Sequence, residues 1–369
     1  MQPDISSNRE TPVDTFVHPG FPARVVFGSG TRERIPEEMA ALGCGRVLVL
    51  STPGKTARAS ELSDLLGDLA VGAFTEAVPH TPVATTERAV AFARALEADC
   101  VLAVGGGSTI GLGKAVALRT GLPQLVLPMT YAGSEMTPIL GETSEGRKTT
   151  RRLPEVRPRV VIYDVDLTLT LPPAISAVSG LNALAHAVEA LYAQDRDPVT
   201  SLLAETAISA LGSALPEVAL RPRDTRVRAE ALYGAWLAGM CLGTVGMALH
   251  HKICHVLGGA FDLPHAETHA VLLPHVVAYN APAAEQATAA ITRVLGGPDA
   301  ATALREFADR LGAPRALRDL GMPEEGIDQA ADLVVRQAYW NPRPVDREAA
   351  RRLLSRAWAG EAPRSDIEP

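Results

Sequence analysis

The feature that most restricts the fold is a change of pattern near the middle of the chain. Before about Leu171, short β-branched runs alternate with longer segments rich in Ala, Leu and Glu, whereas only long Ala/Leu-rich segments follow it. The first pattern is typical of a parallel sheet flanked by helices, and the second of packed helices alone. The sequence therefore predicts an N-terminal α/β domain followed by an all-α C-terminal domain.

The individual elements follow from the local periodicity. The predicted strands are Arg24–Phe27, Val47–Leu50, Val101–Val104, Gln124–Leu127 and Val160–Tyr163. The predicted helices include Ser60–Leu69, Thr86–Leu96, Ala174–Ala193 and Val199–Leu211. We place the domain boundary in Asp164–Pro173, because its paired prolines end a strand and prepare a helix start. The prediction is a flexible leader at 1–15, an α/β domain at 16–167, a helical domain at 168–360 and a loose tail at 361–369.

Charge and cysteine usage exclude several classes of partner. The formal charge of -7, with 42 acidic and 35 basic residues, gives no basic field for nucleic acid or anionic lipid, so a small-molecule partner is expected. Residues 1–15 lack the apolar core of a secretory signal, and no uninterrupted apolar run is long enough to span a bilayer. The four cysteines stand far apart, which favours neither a disulfide framework nor a zinc knuckle. We therefore expect a cytoplasmic protein.

A glycine-rich turn follows the third predicted strand. It comprises Gly105, Gly106, Gly107, Ser108 and Thr109. Glycines let a backbone approach a pyrophosphate, and the hydroxyls and free amides of a helix start donate to it. The run is neither a G-x-G-x-x-G fingerprint nor a Walker loop, so by itself it fits a ligand-free tight turn equally well.

Two further loops would share this edge of the sheet, where open α/β sheets bind ligands. One follows the fourth predicted strand and offers Thr130, Tyr131 and Ser134. The other begins at Ser51, where an Asp or Glu would hold the ribose of NADH and repel the extra phosphate of NADPH. Because that acid is missing, we expect either NADH or NADPH to be accepted.

Histidines concentrate in the helical half. Seven of the nine lie there: His186, His250, His251, His255, His265, His269 and His275. Asn182 and His186 are four residues apart on one predicted helix, as are His251 and His255 on another, so each pair shares a helix face. Both pairs can point into one cleft. For His18, His80 and His275 we favour a structural role, and for the rest a functional one.

These residues resemble a known family. The spacing Asn182-x-x-x-His186, His251-x-x-x-His255 and then His265 is similar to the metal-site pattern of iron-containing alcohol dehydrogenases, which have this two-domain plan. The glycine turn and the Pro128–Glu135 loop also resemble that family, which implies that both contact the nicotinamide cofactor. Runs such as Gly180–Tyr192, His250–Gly259 and Tyr339–Pro344 are closer still to its maleylacetate reductase branch. The resemblance covers the chain from about Phe16 to Trp358 and implies a homodimer.

One position departs from the metal-dependent members. They carry an Asp where this chain has Asn182, beside histidines that match His186, His251 and His265. An amide oxygen is a neutral and weaker ligand than a carboxylate, so affinity for a divalent ion is expected to fall. In having Asn at this position, the chain resembles the maleylacetate reductases. We therefore expect catalysis that does not require metal, with Asn182 and His265 contacting substrate.

The resemblance implies a reaction in aromatic compound degradation. It is the NAD(P)H-dependent reduction of the carbon–carbon double bond of maleylacetate, or of a close unsaturated oxo acid, to 3-oxoadipate. The developing enolate needs hydrogen-bond donors and an acid, which we assign to His186, His251, His255 and the nearby Lys252, with His255 as the first choice for the acid. For the carboxylates of this dicarboxylate substrate, Arg343 is a candidate, and a surface role for it fits equally well.

Three other functions remain open at this point. A metal-dependent alcohol or aldehyde reductase would keep the fold, although Asn182 argues against it. A biosynthetic reductase of another unsaturated oxo acid would keep the same machinery with a changed pocket. A nucleotide-binding protein without chemistry would have no need of the histidine cluster.

Overall fold

A computed structural model describes residues 16–20, 23–145, 147–336 and 339–365. The leader predicted at 1–15 and the last four residues of the predicted tail lie outside this part. Within it, the first half of the chain forms a parallel sheet with crossover helices. Its strands are β1 Arg24–Gly28, β2 Val47–Leu50, β3 Ala70–Phe74, β4 Cys100–Gly105, β5 Gln124–Pro128 and β8 Val160–Asp164. Its helices are α1 Ile35–Ala41, α2 Thr56–Leu66, α3 Val83–Ala95 and α4 Gly107–Thr120.

The sheet is doubly wound. Its strand order is β1-β8-β5-β4-β2-β3, and every neighbouring pair is parallel. Alternate residues of a strand face opposite sides: Val47 and Val49 pack with α1 and α2, whereas Leu48 and Leu50 pack with α3 and α4. Because both faces are buried, the sequences of the central strands are continuous apolar runs and do not alternate between apolar and polar residues.

Two parts of this half were not predicted. Strand β3 is short, lies at the sheet edge and contains Gly72, so it gives a weak strand signal. The antiparallel hairpin of β6 Ile139–Ser144 and β7 Arg147–Arg152 is mostly polar, and polar strands lack the apolar alternation on which a prediction depends. Arg147 and Lys148 are the first two residues of β7.

The second half is helical. Its helices are α5 Pro173–Ala190, α6 Pro198–Leu220, α7 Thr225–Thr244, α8 Leu249–Phe261, α9 His265–Asn280, α10 Glu285–Leu295, α11 Ala300–Arg310, α12 Gly326–Val335 and α13 Arg347–Ala359. Helices α5, α6, α7 and α9 pack against one another around a large apolar core, and a second core joins α8, α9, α12 and α13. An α/β region followed by a helical region is the fold class that the sequence predicts.

The two halves share buried side chains where they meet. Tyr131 and Tyr163, from the sheet side, belong to the apolar core of α5, α6 and α7. The fully buried Arg228 of α7 donates to the hydroxyl of Tyr131 at 3.1 Å, to Ser176 Oγ at 2.7 Å and to the carbonyl of Leu171 at 2.7 Å. These bonds fix α5 and α7 against the carboxyl edge of the sheet.

Helix α6 is, by length and composition alone, apolar enough to cross a membrane. Packed core helices meet the same test, and α6 lies against α5, α7 and α10. The pair α7 and α8 meets the test only as a broken span bent by 92°.

Candidate active site

The glycine turn lies where β4 ends and α4 begins. Gly105 has φ +149°, and a Cβ there would lie 2.6 Å from Thr109 Oγ1. A Cβ on Gly106 would lie 3.0 Å from Thr130 Oγ1, so the turn and the loop after β5 approach each other through backbone. A side chain at either glycine would fill the approach to the start of α4, whose free amides attract an anion.

A cavity of about 90 Å³ opens beside this turn. It is lined by Thr52, Lys55, Gly105, Gly106, Met129, Thr130, Leu167, Thr170 and Leu171. Segments that follow four neighbouring strands thus meet at one edge, and the amides, hydroxyls and single lysine suit the phosphates of a dinucleotide.

The predicted cofactor contacts are not all open to this cavity. Ser51 is fully buried, and its hydroxyl lies 3.5 and 3.4 Å from the carbonyls of Thr52 and Lys55. Thr52 and Lys55 line the cavity in its place. Tyr131 is also fully buried, since its hydroxyl accepts from Arg228 and its ring belongs to the helical core. Its phenol cannot contact a cofactor in this arrangement.

The other residues that we predicted to contact the cofactor differ in their exposure. Thr109 is buried under Gly105, with its hydroxyl unpartnered, whereas Ser108 is half-buried at the first turn of α4. Gly107 is exposed and has open space where a Cβ would stand. Ser134 is half-buried, and its Oγ accepts from Lys114 at 3.3 Å.

Lys114 is a residue whose role the sequence did not indicate. Its amine, on α4, is fully buried and donates to Ser134 O at 2.6 Å, Thr137 Oγ1 at 2.9 Å and Ile139 O at 2.9 Å. Burial lowers the pKa of Lys114 to about 7. The helix that begins at the glycine turn thereby also holds the loop after β5, so both cofactor loops are fixed to one element.

The histidines come together on the other side of the cleft. Asn182 and His186 lie on α5, His251 and His255 on α8, and His265 and His269 on α9. The ring centroids of His186 and His251 are 5.0 Å apart, and those of His255 and His265 are 6.2 Å apart with the rings nearly parallel. Every histidine to which we gave a functional role belongs to this cluster.

The cluster has a buried part and an exposed rim. Asn182, His186, His251 and His269 are buried, and each leaves one polar atom without a hydrogen-bond partner: Asn182 Oδ1, His186 Nδ1, His251 Nε2 and His269 Nε2. His255 and His265 are exposed. Buried polar groups are nearly always paired, so several orphans in one place indicate a site that takes a ligand.

Desolvation lowers the pKa of three imidazoles of the cluster. Burial, reinforced by the neighbouring histidines, holds the pKa of His186 and of His269 well below the usual value of 6.5. Burial also lowers the pKa of His250 to about 3. A neutral imidazole can still donate or accept one hydrogen bond at its open nitrogen.

The two sides of the cleft touch at Gly133, in the loop after β5. Its φ is +75°, and a Cβ there would lie 3.2 Å from both His186 Nδ1 and Gly239 Cα. A glycine is needed because both the backbone angle and the space exclude a side chain. This contact places the cofactor loops directly beside the histidine cluster.

Two residues of the site received no specific role from the sequence. His269 lies among the rings, 4.4 Å from His265 and 4.8 Å from His251 between centroids. Its position four residues after His265 on one helix was the available signal. Glu189 lies three residues after His186 on α5, and its carboxylate is bonded to the start of α8. Acidic residues are common on helices, so the sequence gave no reason to single it out.

The two predicted cations occupy different surroundings. Lys252 is half-buried beside the cluster, with its amine 5.6 Å from the centre of the Tyr339 ring. Arg343 stacks on the Tyr279 ring at 4.2 Å and donates to the carbonyls of Tyr279 at 3.0 Å and Ser365 at 2.5 Å. These bonds support a role for Arg343 in holding the chain after Tyr339, and its binding of a substrate carboxylate stays a prediction.

A divalent metal fits this donor set poorly. Among the described residues, three His, Cys, Asp or Glu side chains bring ligand atoms within 4.8 Å of one another only at His250, Cys254 and His269. His250 Nε2 and His269 Nδ1 already hydrogen-bond at 2.9 Å, which accounts for that group without an ion. His186, His251 and His265 do not gather in this way, and Asn182 adds an oxygen without charge.

Comparison with known proteins agrees with this arrangement. Residues 22–165 match the family described as iron-containing alcohol dehydrogenase, and residues 176–358 match the C-terminal part of the Fe-containing alcohol dehydrogenase family. The chain belongs to the iron-containing alcohol dehydrogenase family and is an oxidoreductase. The fold class and the family that the residues indicated are both confirmed.

Individual relatives indicate the branch of that family to which the chain is most similar. A maleylacetate reductase from a Rhizobium species is 55% identical over 94% of this chain and 99% of its own length. One from Sphingobium indicum is 54% identical over the same shares. The crystal structure of the maleylacetate reductase of Agrobacterium tumefaciens superimposes with a TM-score of 0.92 at 54% identity, covering 95% of this chain and all of that one. The chain groups with the maleylacetate reductase branch.

Proposed function

We propose that this protein reduces the carbon–carbon double bond of maleylacetate to give 3-oxoadipate, with NADH or NADPH as the reductant, in the degradation of aromatic compounds. The observation that carries the proposal is the group of buried, unpartnered polar atoms on Asn182, His186 and His251, beside the loop that closes the glycine-lined cavity. Maleylacetate reductases at 47–55% identity over almost the whole chain support the same substrate.

The bound nicotinamide would supply hydride to the alkene carbon beta to the ketone. This chain's residues must then stabilise the negative charge on the ketone oxygen and protonate the neighbouring carbon. His186 Nδ1 and His251 Nε2 are the unpartnered ring nitrogens available to that oxygen. His255, on the exposed rim, is the proposed proton donor, because it can exchange protons with solvent and belongs to the same helix as His251.

The substrate is a dicarboxylate and needs positive charge or donors at its ends. Lys252 lies at the edge of the cluster, and Asn182 and His265 supply further hydrogen-bond donors. We propose that metal is not required, because the residues that match the relatives' ligands contain no carboxylate and are not gathered as a cage. Either cofactor should serve, since no acid stands at Ser51 or Thr52 and Lys55 lines the cavity.

We further propose a cytoplasmic homodimer that binds neither nucleic acid nor membrane. The net charge of -7 supports the exclusion of polyanions. Size-exclusion chromatography with light scattering would test the dimer, and a monomer at micromolar concentration would contradict it.

The decisive experiment follows the absorbance of the reduced cofactor after maleylacetate is added to protein that has been exhaustively chelated. NADH and NADPH are compared at matched concentrations, with simple aldehydes as control substrates. Turnover of maleylacetate after chelation supports the proposal. Inertness toward maleylacetate, together with metal-restored turnover of an aldehyde, would instead assign the chain to the metal-dependent alcohol or aldehyde reductases.

A further inference from the structure

Helix α8, which carries His251 and His255, begins without a cap of its own. Its N-cap residue is Ala248, which has no side chain able to accept the free amides of the first turn. The acceptor comes instead from α5. Glu189 Oε2 accepts from the amide of Ala248 at 3.1 Å, and Glu189 Oε1 accepts from the amide of His250 at 2.9 Å.

The same carboxylate also holds an imidazole of the site. His251 Nδ1 lies 2.6 Å from Glu189 Oε2, and the amide of His251 lies 3.4 Å from that oxygen. Although burial raises the pKa of Glu189, the bond and charge of His251 and the helix amides outweigh it and leave the pKa lowered. Both oxygens accept from backbone amides, which favours the carboxylate form, and the group is completely removed from solvent.

An ionised carboxylate only accepts hydrogen bonds, so His251 Nδ1 must carry the proton that joins them. The other ring nitrogen, Nε2, is then the one left open, and it is buried and unpartnered. An orienting carboxylate of this kind fixes both the tautomer and the plane of the ring.

We propose that Glu189 is the positioning residue of the reduction: it holds the His251 ring through Nδ1 so that Nε2 faces the substrate. This inference rests on the proposed function. Glu189 also ties α8 to α5, so that the ring nitrogens of His251 and His186 keep a constant separation.

Glu189→Gln removes the acceptor of His251 with little change of shape. If the nitrogen of the glutamine takes the place of Oε2, it faces both His251 Nδ1 and the amide of Ala248 as a donor, and only the amide of His250 keeps its acceptor. Either the bond to His251 is lost or the ring adopts the other tautomer. We expect kcat for maleylacetate to fall about tenfold to a hundredfold, the range for removal of such orienting partners, while the Kd of NADH stays within about twofold.

Two further variants complete the design. Glu189→Asp keeps the charge on a shorter side chain and should recover part of the lost kcat. Glu38→Gln is the matched control: Glu38 is equally buried, accepts from Arg24 at 2.7 Å and lies on α1, away from the site, so its loss should lower the unfolding temperature without changing kcat.

If Glu189→Gln fails to fold, the wild type still tests the proposal. In protein labelled with ¹⁵N-histidine, the ring shifts of His251 should show a proton on Nδ1, and a neutral ring protonated only on Nε2 would overturn the assignment. Wild-type kcat in folded Glu189→Gln would overturn it too. A wild type that does not reduce maleylacetate refutes the proposed function, whereas an active wild type with an unaffected variant refutes only the role of Glu189.

Discussion

Replacing Asn182 by aspartate tests the proposal that this site needs no metal. Asn182 is 6% exposed and its Oδ1 has no partner, so Asn182→Asp would bury a carboxylate beside imidazoles that desolvation keeps neutral. A buried charge without a counter-ion costs several kcal/mol. The rim of the cleft, at His255 and His265, is exposed, which moderates this cost, so we expect the free energy of unfolding to fall by about 2–4 kcal/mol at pH 7 in the presence of a chelator.

A divalent ion should reverse that loss. The carboxylate at 182, with His186 and His251, recreates the charged ligand set of the metal-dependent relatives. Zinc at a hundredfold excess over its Kd would return about 2.7 kcal/mol, because it binds only the folded state. The bound ion would also occupy the imidazoles that we assign to the enolate oxygen, so reduction of maleylacetate should fall.

The assay is denaturant unfolding of each protein with chelator and with zinc, followed by activity and metal analysis. Asn280→Asp is the matched control, because Asn280 is buried but bonded to Asn341, outside the histidine cluster. It should lose stability without rescue by zinc. The reasoning fails if Asn182→Asp shows no response to metal, or if the wild type carries stoichiometric metal and loses activity when stripped.

Three other changes have defined outcomes. His255→Ala should slow the chemical step about a hundredfold in single-turnover kinetics without weakening NADH binding, and wild-type turnover would move the acid's role to His251 or His186. Lys55→Ala should lower kcat/KM for NADPH about tenfold more than for NADH, since the amine at this cavity suits the extra phosphate, and equal losses would contradict that contact. Burial lowers the pKa of His275 to about 3, so the unfolded chain binds more protons below pH 6.5 and stability falls as the pH falls. His275→Gln should therefore lose about 2 kcal/mol less than the wild type between pH 7 and pH 5 in urea unfolding, and identical losses would refute a neutral buried ring.

Periodicity predicted the elements that bury a regular apolar pattern. The central strands β2, β4 and β5 were placed within a residue or two, because both of their faces are buried and the runs are bounded by turn residues. Helix α6 was predicted to end at Leu211 but continues to Leu220, past Pro216. Its later turns pack on α7 and α10, a tertiary contact that overrides local propensity.

Spacing along helices predicted the histidines that meet, but not the direction of each side chain. Four-residue intervals placed Asn182 with His186 and His251 with His255 correctly on shared faces. The burial of Tyr131 depends on residues distant in sequence, since its hydroxyl accepts from Arg228, 97 residues further along the chain. No local pattern encodes such a bond.

The charge balance of the cluster shows why one amide matters. Glu189 already contributes one buried negative charge, which the amides of α8 and His251 balance. A second carboxylate at 182 would make the pocket repel a dianionic substrate unless a cation joined it. With Asn182 the pocket gains no second charge, and the unpartnered nitrogens of His186 and His251 stay open to the substrate. Glu189 then acts on the substrate only through the ring of His251, and the glycine-lined side of the cleft remains free for the cofactor.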